Sequence, residues 1–528
     1  MSRDGAGFRR RIATVARRRV SLRKLAIPVI ATLLVAGAAQ PAAAGHGHHS
    51  ESSKRLREAV TVSGVRDHLK AFQKIADRND DTRASGTPGF EASAAYVKKK
   101  LQRAGYKVTE QKFVFPFFDE LAPAQLTRVS PAGPAYETHT FDFSGSGDVT
   151  GQVVPALNNV LPPTPEPSST AGCAAADFAP ASATAPQIAL VQRGGCDFAV
   201  KAANAKTAGY DAVIIFNEGQ PGRDTLLTGT LGGPFDLPVV GLSFADGSAL
   251  ATAAAAGAVT LRVVTSTFTD PNATTSNIIA DSRGGDPNRV LVVGAHLDSV
   301  TAGPGINDNG SGSATILEIA EQVSRLKIKT SQRLRFAFWG AEEAGLLGSE
   351  HYVANLSAAE QSKIYANLNF DMVGSPNYVR FVYDGDGSDT GTAGPDGSGE
   401  IEAVFTDYFA AQGLASDPTA FDGRSDYGPF IAVGIPAGGL FSGAEGVKTE
   451  EQAAEYGGTA GEPYDPCYHE ACDDISNLNN RSLSELGDAA AHAVYTVGRL
   501  KGDLAGAAAP AGGAGGASSG GSHGHPAS

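Results

Sequence analysis

Three apolar runs constrain this chain most: RVLVVGA before His296, RLRFAFWGA before Glu342, and NLNF before Asp371. Each ends at side chains that ionise or bind metals. RVLVVGA, without polar alternation, is a buried-strand type of run of the kind a parallel sheet uses, and the other two read as further strands. Helical stretches lie between them. SATILEIAEQVSRL has amphipathic spacing, LLGSEHYVANL follows the second run after a turn, and LSELGDAAAHAVYTVGRL closes the segment. The alternation predicts an α/β fold: a mostly parallel mixed sheet flanked by helices. In such sheets ligands gather outside the carboxyl ends of the strands. Residues far apart in sequence then meet at one edge: His296 and Asp298 from the first run, Glu342 and Glu343 from the second, and Asp371 from the third. Asp308 sits in the Gly/Asn loop after the first run, and His469 comes late, in YDPCYHEACD.

The chain has 528 residues, too many for one compact core, so two folded domains with tails are expected. Residues 45–118 read as the first part of the α/β domain, with helical spacing in VRDHLKAFQKIADR and FEASAAYVKKKLQRAGY and strand alternation in KVTEQKFVF. Between 119 and 271, short apolar runs (GQVVPAL, APQIALVQRGGC, GYDAVIIFN, DLPVVGLS, VTLRVVTS) alternate with Gly/Pro-rich loops, and FAVKAANAKTAG is the one helical stretch. This segment reads as an inserted β-rich domain. KVTEQKFVF before it is expected to pair with SNIIADSRG after it. Residues 272–501 form the main part of the α/β domain, and the Gly/Ala/Ser-rich 502–528 is expected to be a disordered tail.

Residues 1–44 read as an export signal. Arg9, Arg10, Arg11, Arg17, Arg18, Arg19, Arg23 and Lys24 give a basic start. Leu25 to Ala39 is a short apolar stretch, and Ala42-Ala43-Ala44 is a small-residue cleavage site. Arg18-Arg19-Val20-Ser21-Leu22 hints at twin-arginine export. A membrane anchor is the alternative, but the stretch is shorter than the ~20 residues that span a bilayer. The formal charge is −13, and cleavage would remove mainly basic residues. An acidic chain argues against nucleic acid and anionic membrane surfaces as partners. A secreted, extracellular monomer is the expectation. Four cysteines, Cys173, Cys196, Cys467 and Cys472, suggest two disulfides in an exported chain. Three pairings exist, of which the two sequence-near bridges are the simplest. A four-cysteine zinc site is the rival, without CxxC spacing to support it.

Two imidazoles and several carboxylates, with no thiolate, suit zinc or another borderline divalent cation. Two histidines and three carboxylates exceed what one catalytic zinc takes and fit two metals sharing a carboxylate. Each piece alone has an ordinary reading. A Glu-Glu pair is usually a solvated helix start, Asp308 a turn residue capping a helix, and a late histidine an ordinary satisfied side chain. The argument lies in their conjunction, because burying that much carboxylate without a cation is very costly.

AHLDS, NDNGSG, FAFWGAEEAGLLGS, NLNFDMVG, GRSDYGPF, GLFSGAEG, YGGTAG and CYHEACD resemble segments of the secreted di-zinc aminopeptidases, in the group that includes glutamate carboxypeptidase and the transferrin receptor. LVQRGGCDF, AGYDAVIIFN and LPVVGLS resemble the protease-associated domain inserted in many members. The resemblance implies a zinc exopeptidase fold and two Zn2+ per chain. It places His296 and Asp371 on one ion, Glu343 and His469 on the other, and Asp308 between them. It further implies that Glu342 is the general base acting on a metal-activated bridging water, that Asp298 orients His296, and that Tyr468 stabilises the oxyanion. Arg424 would help bind substrate, and a Cys467–Cys472 bridge would brace the turn presenting Tyr468 and His469. Asn309 stands where some relatives have a second aspartate.

The activity so implied is release of N-terminal residues, large and apolar ones such as leucine, from peptides with a free N-terminus. Two rivals remain. One is a carboxypeptidase or dipeptidase on the same centre, with Arg424 binding a terminal carboxylate. The other is an inactive, receptor-like binding protein. Acidic surface residues offer sites for calcium, with none assigned.

Overall fold

The computed structural model describes residues 53–504. Residues 1–44, which read as an export signal, and most of the C-terminal stretch expected to be a tail lie outside the described residues. No helix among those described is long and apolar enough to cross a membrane.

Fourteen strands join one continuous sheet. In chain order they are β1 Lys107–Ser130, β2 Ala135–Tyr136, β3 His139–Thr140, β4 Gly147–Pro155, β5 Gln187–Gln192, β6 Ala212–Phe216 and β7 Val239–Leu242. Then follow β8 Thr260–Asp281, β9 Asp286–His296, β10 Gln332–Trp339, β11 Ile364–Phe370, β12 Phe381–Tyr383, β13 Asp417–Thr419 and β14 Ala437–Phe441. The spatial order runs β13-β12-β14-β11-β9-β10-β8-β4-β5-β6-β7-β3, with β1 on β8 and β2 on β1.

β9 lies parallel between β10 and β11, and β11 is parallel to β14. This is the part the three apolar runs predict. Val290 and Val292 pack on one face with Trp339, Tyr352 and Phe430. Leu291, Val293 and Ala295 pack on the other with the helices Val62–Ala76, Pro88–Arg103, Gly310–Arg325 and Asn480–Val497. Each of these buried Val and Leu side chains contributes roughly 1.5–3 kcal/mol relative to exposure, which is why β9 carries no polar residue between Arg289 and His296.

The inserted segment hangs from a long antiparallel ribbon. β1 pairs with β8 from Lys107↔Asp281 to Ser130↔Thr260, so the expected KVTEQKFVF–SNIIADSRG pairing forms its base. β4, β5, β6 and β7 extend the sheet beyond β8, over two apolar clusters of their own. The sequence reading gave this segment one helix, Phe198–Thr207, and missed a second, Phe244–Ala256. Its alanine-rich sequence, FADGSALATAAAA, has little contrast between faces, so periodicity does not mark it. Its start is nonetheless conventional, since the Ser243 side chain accepts a hydrogen bond from Asp246 N.

Both sequence-near disulfides form, Cys173–Cys196 and Cys467–Cys472, and no cysteine is left for a zinc site.

Candidate metal centre

Register sets the site. Trp339 on β10 lies opposite His296, and Asn369 on β11 opposite Gly294, so the three strand ends are level. After β10 the chain turns through Gly340 and Ala341, the latter at a φ of 53°. Ala341 N donates to Ser85 Oγ at 2.7 Å, and Glu342 N to Asp298 Oδ1 at 3.3 Å. These anchors turn Glu342 and Glu343 inward. Both side chains are about nine-tenths buried, so the solvated-helix-start reading of this pair is wrong here.

The loop after β9 is held from inside by Arg83. Its side chain is completely buried, and its guanidinium donates to the backbone carbonyls of Leu297, Pro304 and Gly305. Burial lowers the Arg83 pKa to about 10, and nearby Asp473, Asp298 and Asp308 oppose that shift. On the far side of the loop, Asp473 accepts backbone hydrogen bonds from Asn307 (2.8 Å) and Asp308 (2.9 Å). The helix cap belongs to Asn309, not Asp308. Asn309 Oδ1 accepts from Gly312 N (2.9 Å) and Met372 N (3.1 Å), while its Nδ2 donates to the Phe370 carbonyl (2.9 Å). That amide ties the helix start to the end of β11. Gly312 lets the two approach, because a Cβ there would lie 2.1 Å from the Phe370 carbonyl oxygen. Relieved of capping, the Asp308 carboxylate faces the site.

The five expected ligands meet. His296 Nε2 lies 3.2 Å from Asp371 Oδ1 and 3.3 Å from Asp308 Oδ1. His469 Nε2 lies 3.1 Å from Glu343 Oε2 and 3.3 Å from Asp308 Oδ2. Glu342 Oε2 is 3.9 Å from His296 Nε2. Of the other positions, Tyr468 stacks on His469 with ring centroids 3.9 Å apart, in the turn closed by Cys467–Cys472. Arg424 pairs with Glu445 Oε1 at 2.8 Å and reaches the Tyr468 hydroxyl at 3.3 Å. Asp298 is placed somewhat differently from expectation. Its carboxylate is 3.6 Å from His296 Nδ1, which instead contacts the Asp298 backbone carbonyl at 3.2 Å.

That carbonyl can only accept, so Nδ1 carries a proton, and Nε2 is the ring atom turned toward the Asp371 and Asp308 oxygens, able to bind a cation once it gives up its own proton. Carboxylates gathered in a buried site require positive charge among them, from the imidazoles in the protein alone or from a bound cation. Glu343 Oε1 is buried without a hydrogen-bond partner. In the protein alone, burial drives Glu342 well above the usual carboxylate range, reinforced by Asp371, Asp426 and Glu343 and opposed by His296. Burial disfavours charge on His296, yet Glu342 and Asp371 carry it well above its usual value. The donor set and the orphaned Glu343 oxygen fit divalent cations of the zinc type, one in His296–Asp371–Asp308 and one in His469–Glu343–Asp308.

Three contributors escape the sequence reading. Asp426, in GRSDYGPF, is completely buried with neither carboxylate oxygen hydrogen-bonded, and burial pushes it up to about 8. Ser425 donates to Asp371 Oδ2 at 2.5 Å. Arg83 lies in NDDTRASGTPG, which reads as an ordinary turn.

A parallel α/β sheet that gathers histidines and carboxylates about a shared aspartate at its strand ends defines a metal-dependent hydrolase of the zinc exopeptidase class. The sequence model of Peptidase family M28 matches residues 277–494, and that of the PA domain residues 149–250. An aminopeptidase of Pseudomonas aeruginosa is 47% identical over 444 residues, covering 83% of this chain and 81% of the relative. A probable leucine aminopeptidase 2 of Aspergillus fumigatus is 41% identical over 443 residues, covering 81% and 83%. The structure of a zinc aminopeptidase from Bacillus subtilis superposes with a TM-score of 0.60 at 26% identity, covering 84% of this chain and 97% of that one. The chain belongs to peptidase family M28 and carries an inserted PA domain.

Proposed function

We propose that this peptidase is a secreted di-zinc aminopeptidase that removes large apolar residues, leucine foremost, from peptides with a free N-terminus. The observation that carries the reading is the division of Asp308 between His296 and His469, which builds two cation positions from one carboxylate. The names of the relatives, aminopeptidase and probable leucine aminopeptidase 2, favour action at the N-terminus and an apolar preference. The export reading of residues 1–44 and the two disulfides support secretion.

His296, Asp371 and Asp308 would hold one zinc, and Glu343, His469 and Asp308 the other. Bound there, the ions would supply Lewis acidity toward the scissile carbonyl and acidify a water. Glu342 is the carboxylate left outside these two sets. Its burial among Asp371, Asp426 and Glu343 raises its proton affinity, which suits a group that takes a proton from water and delivers it to the leaving amine. Asp298 holds Glu342 through its backbone N–H. Tyr468, fixed by stacking on His469 and by Arg424, is positioned to donate to a developing oxyanion.

The pairing of Arg424 with Glu445 weighs against the carboxypeptidase reading, because a guanidinium already neutralised is a poor receptor for a terminal carboxylate. The complete ligand set weighs against a receptor-like protein. Turnover of leucine-p-nitroanilide beside its N-acetylated form, with zinc measured on the same preparation, tests the proposal. Cleavage of the free-amine substrate alone, with about two zinc per chain, is expected. Zinc binding without cleavage of either substrate would refute the aminopeptidase assignment.

A further inference from the structure

Three of the helices packed on β9 meet around a histidine that the catalytic centre does not use. His68 lies on the helix Val62–Ala76, Tyr96 and Lys100 on Pro88–Arg103, and Glu318 and Glu321 on Gly310–Arg325. Glu318 and Glu321, three residues apart, share one face of their helix. His68 is only 3% exposed, Glu318 is buried and Glu321 is partly exposed. His68 Nε2 lies 3.3 Å from Glu318 Oε2 and 3.4 Å from Glu321 Oε2. Neither oxygen takes a hydrogen bond from it, and among the described residues this buried nitrogen has no hydrogen-bond partner. The ring is held from its other side, where Nδ1 meets the Tyr96 hydroxyl at 2.7 Å.

The spacing is that of metal ligands. Bonds of about 2.0–2.1 Å in a tetrahedron put donor atoms ~3.3–3.4 Å apart. In the centre built on Asp308 the histidine–carboxylate pairs lie at 3.1, 3.2 and 3.3 Å. One donor atom each from His68, Glu318 and Glu321 fall within 4.8 Å of one another. The backbone leaves room for them: a Cβ at Gly64 would lie 2.4 Å from Glu318 Oε1. Gln322 Nε2 donates to that same oxygen at 2.6 Å, so Oε2 is the one left to face His68. The Tyr96 hydroxyl can accept from Nδ1–H, the tautomer that frees Nε2 for a cation.

Charge supports the same reading. Lys100 Nζ pairs with Glu321 Oε2 at 2.9 Å, so one ammonium stands against two carboxylates. The balance must come from a proton on His68 or from a cation in its place. Burial opposes charge on His68, yet Glu318 and Glu321 raise its pKa above the usual value.

We propose that His68, Glu318 and Glu321 form a binding site for a borderline divalent cation of the Zn2+ class, separate from the centre that shares Asp308. One imidazole with two carboxylates and no thiolate is a donor set for such ions, and three protein ligands leave a fourth position for water. Glu318 stands roughly 12 Å along its helix from Gly310, so the ion takes no part in the chemistry at Asp308. It joins three helices and therefore binds the folded state preferentially.

The test counts a difference. The full chain is stripped on a chelating resin and dialysed against rising free Zn2+. Bound zinc is then measured by mass spectrometry for wild type, His68→Gln and Glu321→Gln. Wild type should hold about one zinc per chain more than either variant, and should gain more in melting temperature on adding Zn2+. Glu321→Gln should weaken binding of this ion at least tenfold and leave turnover of leucine-p-nitroanilide unchanged. The comparison stands whatever the occupancy or activity of the Asp308 centre. Glu321 is partly exposed, so its variant keeps the fold even where His68→Gln does not. Equal zinc content in wild type and Glu321→Gln would overturn the proposal. Loss of turnover together with the missing zinc would overturn it too, by placing that ion at Asp308.

Discussion

Asp308 gives one carboxylate oxygen to each of two histidines: Oδ1 lies 3.3 Å from His296 Nε2 and Oδ2 3.3 Å from His469 Nε2. The two histidines are 173 residues apart in numbering, and among the described residues no other carboxylate pairs with both. Burial opposes charge on Asp308, but the two imidazoles hold its pKa below the usual range, so it stays ionised and available to two cations at once. Asp308→Asn leaves one acceptor oxygen where two are needed. Zinc content is expected to fall from about two to one or fewer per chain, with at least a hundredfold loss of turnover. Metal analysis beside the kinetics checks it, and retention of both ions would refute the shared-aspartate assignment.

Glu342 makes the opposite prediction. It belongs to neither ligand set, so Glu342→Gln should keep both metals and the melting temperature. Turnover should drop by roughly 10²–10⁴, the usual weight of a general base, with little change in KM. If Glu342→Gln instead loses zinc, the residue is a ligand and the division of labour between Glu342 and Glu343 must be redrawn.

β9 was legible because burial on both faces leaves an uninterrupted apolar run, and His296, Glu342, Glu343 and Asp371 were legible because they stand where strand-like runs stop. His469 was legible only as a late histidine that completed the donor count, since no periodic element delivers it; it sits in a turn at a φ of 59°. What supports the site was harder to see. Arg83 satisfies carbonyls from a loop more than two hundred residues away in sequence, and nothing in a turn-like segment announces a buried guanidinium. Asn309 and Asp426 look like loop polarity until the backbone closes around them. The helix Phe244–Ala256 is hidden because alanine packs on any face and marks none.

Arg83 carries the third prediction. Arg83→Ala strands three buried carbonyls, at Leu297, Pro304 and Gly305, and empties a large fully buried volume. A loss of about 3 kcal/mol or more is expected, with weakened zinc binding because the loop ends at Asp308. Arg83→Lys should recover only part of it, since one ammonium cannot reach all three carbonyls in the same geometry. Denaturant unfolding of the two variants separates these outcomes. Equal stability of Arg83→Lys and wild type would show that charge, not the fork, is what the loop needs.

The two disulfides should fail differently. Cys467–Cys472 closes a short loop, with a sequence separation of 5, and contributes about 2 kcal/mol by chain entropy. It also holds the turn with Tyr468 and His469. Cys173–Cys196 spans 23 residues, is worth about 3 kcal/mol on the same basis, and lies in the inserted segment. Replacing both cysteines of the first pair by serine should cut turnover and zinc retention more than stability. The same change in the second should lower the melting temperature while turnover at 25 °C survives. Comparable activity losses in both would mean that the inserted segment shapes the site directly.

Lys201, in the inserted segment and outside the ligand set, supplies a pH signature of its own. Its side chain is fully buried, and its Nζ donates to the carbonyls of Ala171 and Gly194, each at 2.5 Å. Burial lowers its pKa to about 8, with Glu218 and Asp177 opposing, against ~10.4 in the unfolded chain. Between those values the unfolded chain binds more protons than the folded one, so stability rises with pH across that window. Below about 8 both states are protonated and the full penalty of the buried charge applies. Above ~10.4 both are neutral and the penalty is gone. The slope is at most ~1.4 kcal/mol per pH unit. Lys201→Met removes the titration while leaving the two carbonyls orphaned at every pH. The stability of wild type minus that of Lys201→Met should therefore grow from pH 8 to pH 10, measured by urea unfolding of both proteins in parallel. A difference that stays flat over this range would show that Lys201 keeps its proton in the folded state as firmly as it does in water.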